Sequence, residues 1–204
     1  MYFFKKDKKI IKTTEGFTLI ETFVAITVLV IALAGPFTLV MKSLAVSKIT
    51  KGQITAMYLA QEAIEYVRNI RDENILMGNY WLTDLNGRKV RFPITNPIQY
   101  YNDSTSDCVS PDGSKKCIVD APYRRTVTRC LGVCPPLKFN SISKLYGYNV
   151  SADPDDISVF TRTVEIDEIV SNIEVVVTVT MEWQGQDDPG LRTFVMQEHL
   201  LNWQ

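Results

Sequence analysis

The sequence is poor in the residues that most often carry out chemistry. It contains one histidine, His199, in 204 residues. A single histidine excludes most histidine-based zinc sites, and it leaves His199 as the one candidate for a Ser–His or Cys–His catalytic pair. The P-loop, G-x-S-x-G and H-E-x-x-H motifs do not occur in the sequence. We therefore predict no enzymatic activity, no catalytic residue and no cofactor, and we expect His199 to cap or line a strand.

Charge is nearly absent between Phe17 and Met41, where Glu21 is the only charged side chain. An apolar run of this length is typical of a transmembrane helix. Residues 1–16 contain five lysines against Asp7 and Glu15. The positive-inside rule keeps such a segment in the cytoplasm, so the chain after Met41 is expected on the other side of the membrane.

A cleaved secretory signal is the alternative interpretation of this run. Ala32-Leu33-Ala34 would then imitate the small-x-small cleavage site. An apolar signal region is typically about 7–15 residues long, so the present run is too long for one. The early acidic residue also fits a signal peptide poorly, and a membrane helix is the favoured interpretation.

The residues Gly16-Phe17-Thr18-Leu19-Ile20-Glu21 follow a short basic leader and open the apolar run. This arrangement resembles the processing signal of type IV pilins and pseudopilins. Thr22 and Phe23 replace the more usual aliphatic pair. The resemblance implies that prepilin peptidase cleaves after Gly16 and methylates the new N-terminus at Phe17. Removing residues 1–16 from the 204-residue chain would leave 188.

An ionisable side chain in a membrane segment is costly and calls for a partner. Cleavage after Gly16 would create an α-amino group on Phe17, and N-methylation keeps it a basic amine. Packing of apolar helices would desolvate that amine, and a buried charge is tolerable when it is paired. We therefore predict that Glu21 pairs with the Phe17 amine of its own or a neighbouring subunit, which makes Phe17 and Glu21 the subunit-assembly residues.

The helix is expected to continue past Met41 as an amphipathic element. Its apolar positions recur at intervals of three, four and seven: Ala56, Leu59, Ala60, Ala63, Ile64, Val67 and Ile70. Glu65 and Arg68 are spaced to pair on its polar face. Gly35-Pro36 is expected to kink the helix, and Gly52 is a second weak point.

The C-terminal part is predicted to be β-structure. Alternating residues over Ile173–Trp183 and Phe160–Ile166, with a return strand carrying Phe194, Met196 and Leu200, predict a meander of at least three antiparallel strands. Asn86-Gly87 predicts a further hairpin over Tyr80–Phe92. The fold class is therefore α+β: a long N-terminal helix, first transmembrane and then amphipathic, packed on a C-terminal antiparallel sheet. The pilin resemblance implies the same architecture.

The predicted organisation has four parts. Residues 1–16 are the cytoplasmic leader, 17–41 the transmembrane or filament-core half of the helix, and 42–75 its amphipathic half. Residues 76–204 form an extracytoplasmic head. Within the head, residues 93–156 are expected to be irregular, because they are rich in Pro, Ser and Asp.

All four cysteines, Cys108, Cys117, Cys130 and Cys134, lie in that irregular segment. Outside the cytoplasm they indicate two disulfides, for which three connectivities are open. The sequence-local pairing, Cys108 with Cys117 and Cys130 with Cys134, is favoured over a zinc site, since only one pair has ligand spacing. Many major pilins have a disulfide near the C-terminus, and no cysteine follows Cys134 here, which favours a minor subunit.

Calcium and single-stranded nucleic acid are two further candidate ligands. Asp153-Pro154-Asp155-Asp156 and Asp187-Asp188-Pro189 offer oxygen ligands for calcium, but Asp is also common in turns, and no metal is predicted. The basic stretch Lys115–Tyr148, with Tyr123, Phe139, Tyr146 and Tyr148, resembles single-stranded nucleic-acid surfaces. Pairing of these charges with the acidic C-terminal half is favoured over nucleic-acid binding.

The favoured function is a structural one, a minor pilin or pseudopilin of a type IV pilus-like filament. Its implied partners are other pilin subunits, prepilin peptidase, the membrane and the assembly platform of the inner membrane. The chain would cross the cytoplasmic membrane once before assembly and then join a cell-surface or periplasmic filament. The alternative is a signal-anchored binding module or enzyme outside the cytoplasm that does not form filaments.

Overall fold

A computed structural model describes residues 16–90, 100–121, 126–149, 157–185 and 188–203. The chain divides into two compact units, one up to Ser47 and one from Lys48. A single helix, α1 (Leu19–Leu76), belongs to both and contains Pro36 within its length. The chain therefore has one long N-terminal apolar helix and a C-terminal antiparallel sheet, as the α+β prediction requires.

Among the described residues, ten strands follow the helix. They are β1 (Asn86–Val90), β2 (Tyr100–Asp107), β3 (Val109–Ser110), β4 (Cys117–Asp120), β5 (Thr126–Arg129), β6 (Pro136–Phe139), β7 (Tyr146–Gly147), β8 (Ile157–Val170), β9 (Glu174–Gly185) and β10 (Asp188–Leu201). Strands β1 and β2 form a separate antiparallel pair. The other eight form one sheet with the central order β10-β9-β8-β4-β5. β6 pairs antiparallel with β8 and β7, and β3 makes a short parallel contact with β8.

The predicted meander is confirmed as β8, β9 and β10. Alternate residues of β9 from Val175 to Trp183 are buried, and so are Phe160, Val164 and Ile166 of β8. This period of two arises because successive side chains of a strand point to opposite faces. On β10, Leu200 is buried, whereas Phe194 and Met196 are partly buried against the same core.

The apolar stripe of α1 packs on this sheet within the second unit. Ala56, Leu59, Ala60, Ala63, Ile64 and Val67 are buried in one cluster with the inward residues of β8 and β9. Ile70 is partly buried at its edge. Gly52 lets the helix come close to the sheet, because a Cβ there would lie 2.9 Å from Trp183 Nε1. The predicted pair of Glu65 and Arg68 is present at 2.7 Å.

Two expectations about strands were wrong. The Asn86-Gly87 pair does not turn a hairpin over Tyr80–Phe92: residues 81–85 form turns, and β1 begins at Asn86 and pairs with β2. Gly87 has φ 74° and lies at a bulge between Asn86 and Arg88, so its conformational freedom serves the bulge. Residues 93–156 are also less irregular than predicted, because β2 to β7 lie between them.

Candidate functional site

The helix begins two residues after the predicted cleavage point, and Thr18 caps it. The backbone N–H of Glu21 donates to Thr18 Oγ1 at 3.3 Å, and the N–H of Thr22 donates to the Thr18 carbonyl at 3.1 Å. Thr18 and Glu21 thus have the spacing of a capping box. Glu21 lies in the first turn, where the helix dipole stabilises a negative charge. The structure consequently gives Glu21 a local role in addition to the predicted pairing with an amine.

The segment after this cap exposes its apolar side chains. Phe17 is 81% exposed, and large apolar residues remain exposed along the helix as far as Val46. The helix is long and apolar enough to cross a membrane, and none of its most apolar window is buried against the rest of the chain. An exposed apolar surface of this extent needs lipid or other protein to cover it.

The polar side chains in this segment satisfy themselves within the helix. The hydroxyls of Thr22, Thr27 and Thr38 each donate to the backbone carbonyl three residues earlier, at 2.8 Å. Such bonds remove the cost of placing a free hydroxyl in hydrocarbon. Between Phe17 and Met41, Glu21 is therefore the side chain whose charge still requires an explanation.

The head carries both disulfides of the sequence-local pairing. Cys108 is bonded to Cys117 with 6.0 Å between their Cα atoms, and Cys130 to Cys134 with 5.3 Å. The first disulfide is buried in the core. The second closes a short loop whose Leu131 and Val133 are 93% and 94% exposed. All four cysteines are thus in disulfides.

A buried polar cluster was missed by the sequence reasoning. Arg162 of β8 is fully buried, and it donates to the Leu59 carbonyl at 2.8 Å and to Glu62 Oε2 at 3.1 Å. A third bond goes to the carbonyl of Val119 on β4. Arg162 thereby connects the helix with two strands of the sheet. Its position in the inward row of β8, between Phe160 and Val164, could have revealed it as a buried charge.

Tyr148 and Asp120 complete this cluster. The hydroxyl of Tyr148 donates to the Arg162 carbonyl at 2.9 Å, and the buried Asp120 carboxylate accepts from the backbone N–H groups of Tyr148 and Asn149 at 3.2 Å. Burial raises the pKa of Tyr148 to about 12. These contacts hold the segment after β7 against the sheet, which is a structural task.

One charge of the basic stretch, that of Lys115, is paired within the head. Lys115 pairs at 2.7 Å with Asp107, which lies outside the acidic C-terminal half. Tyr146 packs against Phe139 with the rings tilted by 45° and 4.8 Å between their centroids, and it meets Phe160 edge-on at 5.9 Å. Two of the aromatic faces considered for base stacking, Tyr146 and Tyr148, therefore pack within the head. Tyr123 lies outside the described residues.

Metal ligands do not cluster in the part of the chain that the structure describes: no group of three or more His, Cys, Asp or Glu side chains could hold an ion. Residues Asp153–Asp156 lie outside the described residues, as does Asp187. His199 lies in β10, as predicted for a strand residue, and its Nδ1 is 2.6 Å from Glu174 Oε1.

Comparison with known proteins gave no match: no family model, no curated protein and no solved structure is similar to this chain. Function is therefore inferred from its own residues.

Proposed function

We propose that the protein is a minor pilin or pseudopilin, a structural subunit of a type IV pilus-like filament. Prepilin peptidase cleaves the chain after Gly16 and methylates Phe17, and the apolar half of α1 then packs with the same segment of other subunits. The chain does no chemistry of its own. Before assembly it crosses the cytoplasmic membrane once, with its N-terminus inside.

The observation that carries this proposal is the Gly16–Glu21 motif standing at the start of a long exposed apolar helix. Gly16 precedes the capped first turn, so cleavage after it would leave Phe17 immediately before the capping residue Thr18. The new amine would then lie near Glu21, one turn into the helix. Phe17 and its apolar successors are exposed, as a surface that packs against other subunits or lipid must be.

The pairing of Glu21 with the Phe17 amine explains its position better than capping alone. A capping carboxylate in the first turn stabilises a helix by about 0.3–1 kcal/mol when it is exposed to solvent. Burial of an unpaired amine in an apolar bundle costs several kcal/mol. The pair would also fix the axial register of the subunits, since a shifted helix would bury both charges unpaired.

Processing is tested with a pair of glycine variants expressed together with prepilin peptidase. A Cβ at Gly16 or at Gly35 meets nothing within 4 Å, so neither Gly16→Val nor Gly35→Val creates a clash in the folded chain. We expect Gly16→Val to retain the leader and Gly35→Val to be processed normally. Equal processing of the two variants would contradict the assignment of Gly16.

Assembly is tested with Glu21→Ala and Glu21→Gln, measured as the share of processed subunit recovered in sheared filaments. We expect both variants to be cleaved and both to enter filaments poorly. Glu21→Gln keeps a polar group in the first turn but removes the charge. Full incorporation of Glu21→Gln would refute charge pairing, and a chain that is never cleaved would favour a signal-anchored protein outside filaments.

A further inference from the structure

Strand β10 lies at the edge of the large sheet. Among the strands that the structure describes, β9 is its one hydrogen-bonded neighbour, and the two pair continuously from Leu191 to Leu201. The outer side of β10 therefore presents alternate backbone N–H and C=O groups that an additional strand could bind. The length of this edge makes it unusual, because an average strand has about five or six residues.

This edge lacks several of the features by which proteins prevent edge pairing, although it carries the charged side chains Arg192 and Glu198. From Leu191 to Leu201 it contains no Pro, Gly or Lys, and its register shift precedes Leu191. Leu191 and Val195 are exposed apolar residues on it, at 67% and 52%. An edge that is long, regular and partly apolar is a template for another strand.

We propose that β10 pairs antiparallel with β10 of a second copy of this chain, in a two-fold arrangement centred on Val195. The stretch Arg192-Thr-Phe-Val-Met-Gln-Glu198 is complementary to its own reverse: its ends carry opposite charges, and the residues equally far from Val195 are alike in polarity. In this register Arg192 faces Glu198 of the other copy, Phe194 faces Met196, and Thr193 faces Gln197. Opposite charges and apolar pairs directly across two strands stabilise an antiparallel ladder.

The sidedness of β10 agrees with this register. Arg192, Phe194, Met196 and Glu198 are half-buried, whereas Thr193, Val195 and Gln197 alternate with them on the exposed face. Each facing pair thus joins residues of the same face, as an antiparallel pair requires. Glu198 already accepts from Arg68 in its own chain, and Arg192 of the second copy would add a cation on its other side.

The two neighbouring registers match charged and apolar residues across the two strands less well. Centring on Met196 would place Arg192 opposite Leu200 and Glu198 opposite Phe194. Centring on Phe194 would place Arg192 opposite Met196 and Glu198 opposite Gly190. Both alternatives bring charged side chains against apolar ones or glycine, so the centre at Val195 is favoured by charge and by apolar contact.

The proposed pairing of two β10 strands orients the α1 helices of the two copies in opposite directions. Within the second unit, Gly52 of α1 lies beside Trp183, which pairs with Arg192 of β10. Further along both elements, Arg68 of α1 lies beside Glu198 of β10. The helix and β10 therefore run in the same direction. Antiparallel strands therefore direct the two helices oppositely. Subunits joined head to tail in an open helical filament all point the same way. Resting on the proposed function, the pairing would therefore link two separate filaments.

The register is tested by cysteine cross-linking of the full-length chain in detergent, where two copies can take any mutual orientation. All native cysteines are in disulfides, so an added thiol is the one available for a short bismaleimide. We expect Val195→Cys to form dimers with itself, and Thr193→Cys to form them when mixed with Gln197→Cys. Thr193→Cys alone is the control, since its two copies would lie about 14 Å apart along the strand.

Cross-linking of Thr193→Cys alone as strong as that of Val195→Cys would overturn the register, and so would the absence of dimers from Val195→Cys. A second measurement changes the charge in the Val195→Cys background. Arg192→Glu places like charges opposite each other twice per dimer, and we expect about tenfold less dimer. Arg192→Lys should retain the dimer yield of Val195→Cys. Equal dimer yields from Arg192→Glu and Arg192→Lys would contradict the charge pairing. Leader cleavage is scored on the same samples, so failure of dimerisation is distinguished from failure of the proposed function.

Discussion

Replacement of Arg162 tests how the head is held together. Arg162→Ala removes a fully buried side chain that contacts the carbonyls of Leu59 and Val119 and the carboxylate of Glu62. Breaking a buried ion pair costs about 3–5 kcal/mol, in large part because a charge is left unpaired. Glu62 is 34% exposed, so water can solvate its carboxylate. We therefore expect the lower part of that range, about 3 kcal/mol, for Arg162→Ala.

Arg162→Met separates packing from charge. Methionine fills much of the space of the arginine stem but, like alanine, leaves Glu62 and the carbonyls of Leu59 and Val119 without their donor. The Arg162 Nε is buried without a hydrogen-bond partner among the described residues, so Met also removes an unsatisfied donor. We expect Arg162→Met to cost about 1–2 kcal/mol less than Arg162→Ala, because methionine keeps the packing of the arginine stem.

Urea unfolding of the full chain in detergent, followed by tryptophan fluorescence, measures both variants. Trp81 and Trp183 are buried in the core that contains the helix stripe, so their emission reports on this packing. Arg129→Ala on β5 is the arginine control, because Arg129 is exposed, and we expect it to cost less than about 1 kcal/mol. Equal costs of Arg162→Met and Arg162→Ala would show that the arginine stem contributes no packing, and a neutral Arg162→Met would show that the lost ion pair costs nothing. Either result would refute the reasoning.

Three further predictions concern the head, each measured by the same unfolding assay. The pKa of Tyr148 lies near 12 when folded and near 10 when unfolded, so its contribution is fully present below pH 10 and is lost between pH 10 and 12. Between pH 10 and 12, the free energy of unfolding should therefore fall by about 2–3 kcal/mol less in Tyr148→Phe than in the wild type. Replacing the buried Cys108–Cys117 pair by Ala should cost about 3 kcal/mol and the Cys130–Cys134 pair about 2, since the second loop is shorter; the reverse order would contradict this. Gly52→Val should cost about 1–2 kcal/mol by forcing Trp183 to move, and a gain in stability would show that the contact relaxes freely.

The elements that could be predicted from the sequence are those whose apolar residues recur at one regular interval. The helix stripe from Ala56 to Val67 repeats at helical spacing, and β9 alternates with a period of two, because each element buries one face against the other. The Glu65–Arg68 pair follows from spacing alone. Local pattern suffices where one face of an element is buried along most of its length.

The parts that could not be predicted depend on contacts distant in sequence. Strands β3, β4 and β7 have two to four residues each, too few for a period to be visible. Asn86-Gly87 has the composition of a tight turn, but pairing of β1 with β2 uses the positive φ of Gly87 for a bulge. Arg162 interrupts an apolar row, and its partners Leu59 and Val119 are 103 and 43 residues away.

The candidate site shows the same division. The Gly16–Glu21 motif is local, so the prediction that it is processed and the observation that Glu21 is the lone charge both come from the sequence alone. The cap from Thr18 became apparent only with the start of the helix at Leu19. The edge position of β10 depends on strand order, which no local pattern of this sequence specifies.

The most direct test of the central claim is the intact mass of the N-terminal peptide of the chain recovered from cells that contain prepilin peptidase. We predict a chain that begins at Phe17 and carries one added methyl group on its amine, with residues 1–16 absent. Recovery of a chain that retains Met1–Gly16, or that begins at any residue other than Phe17, would contradict the account.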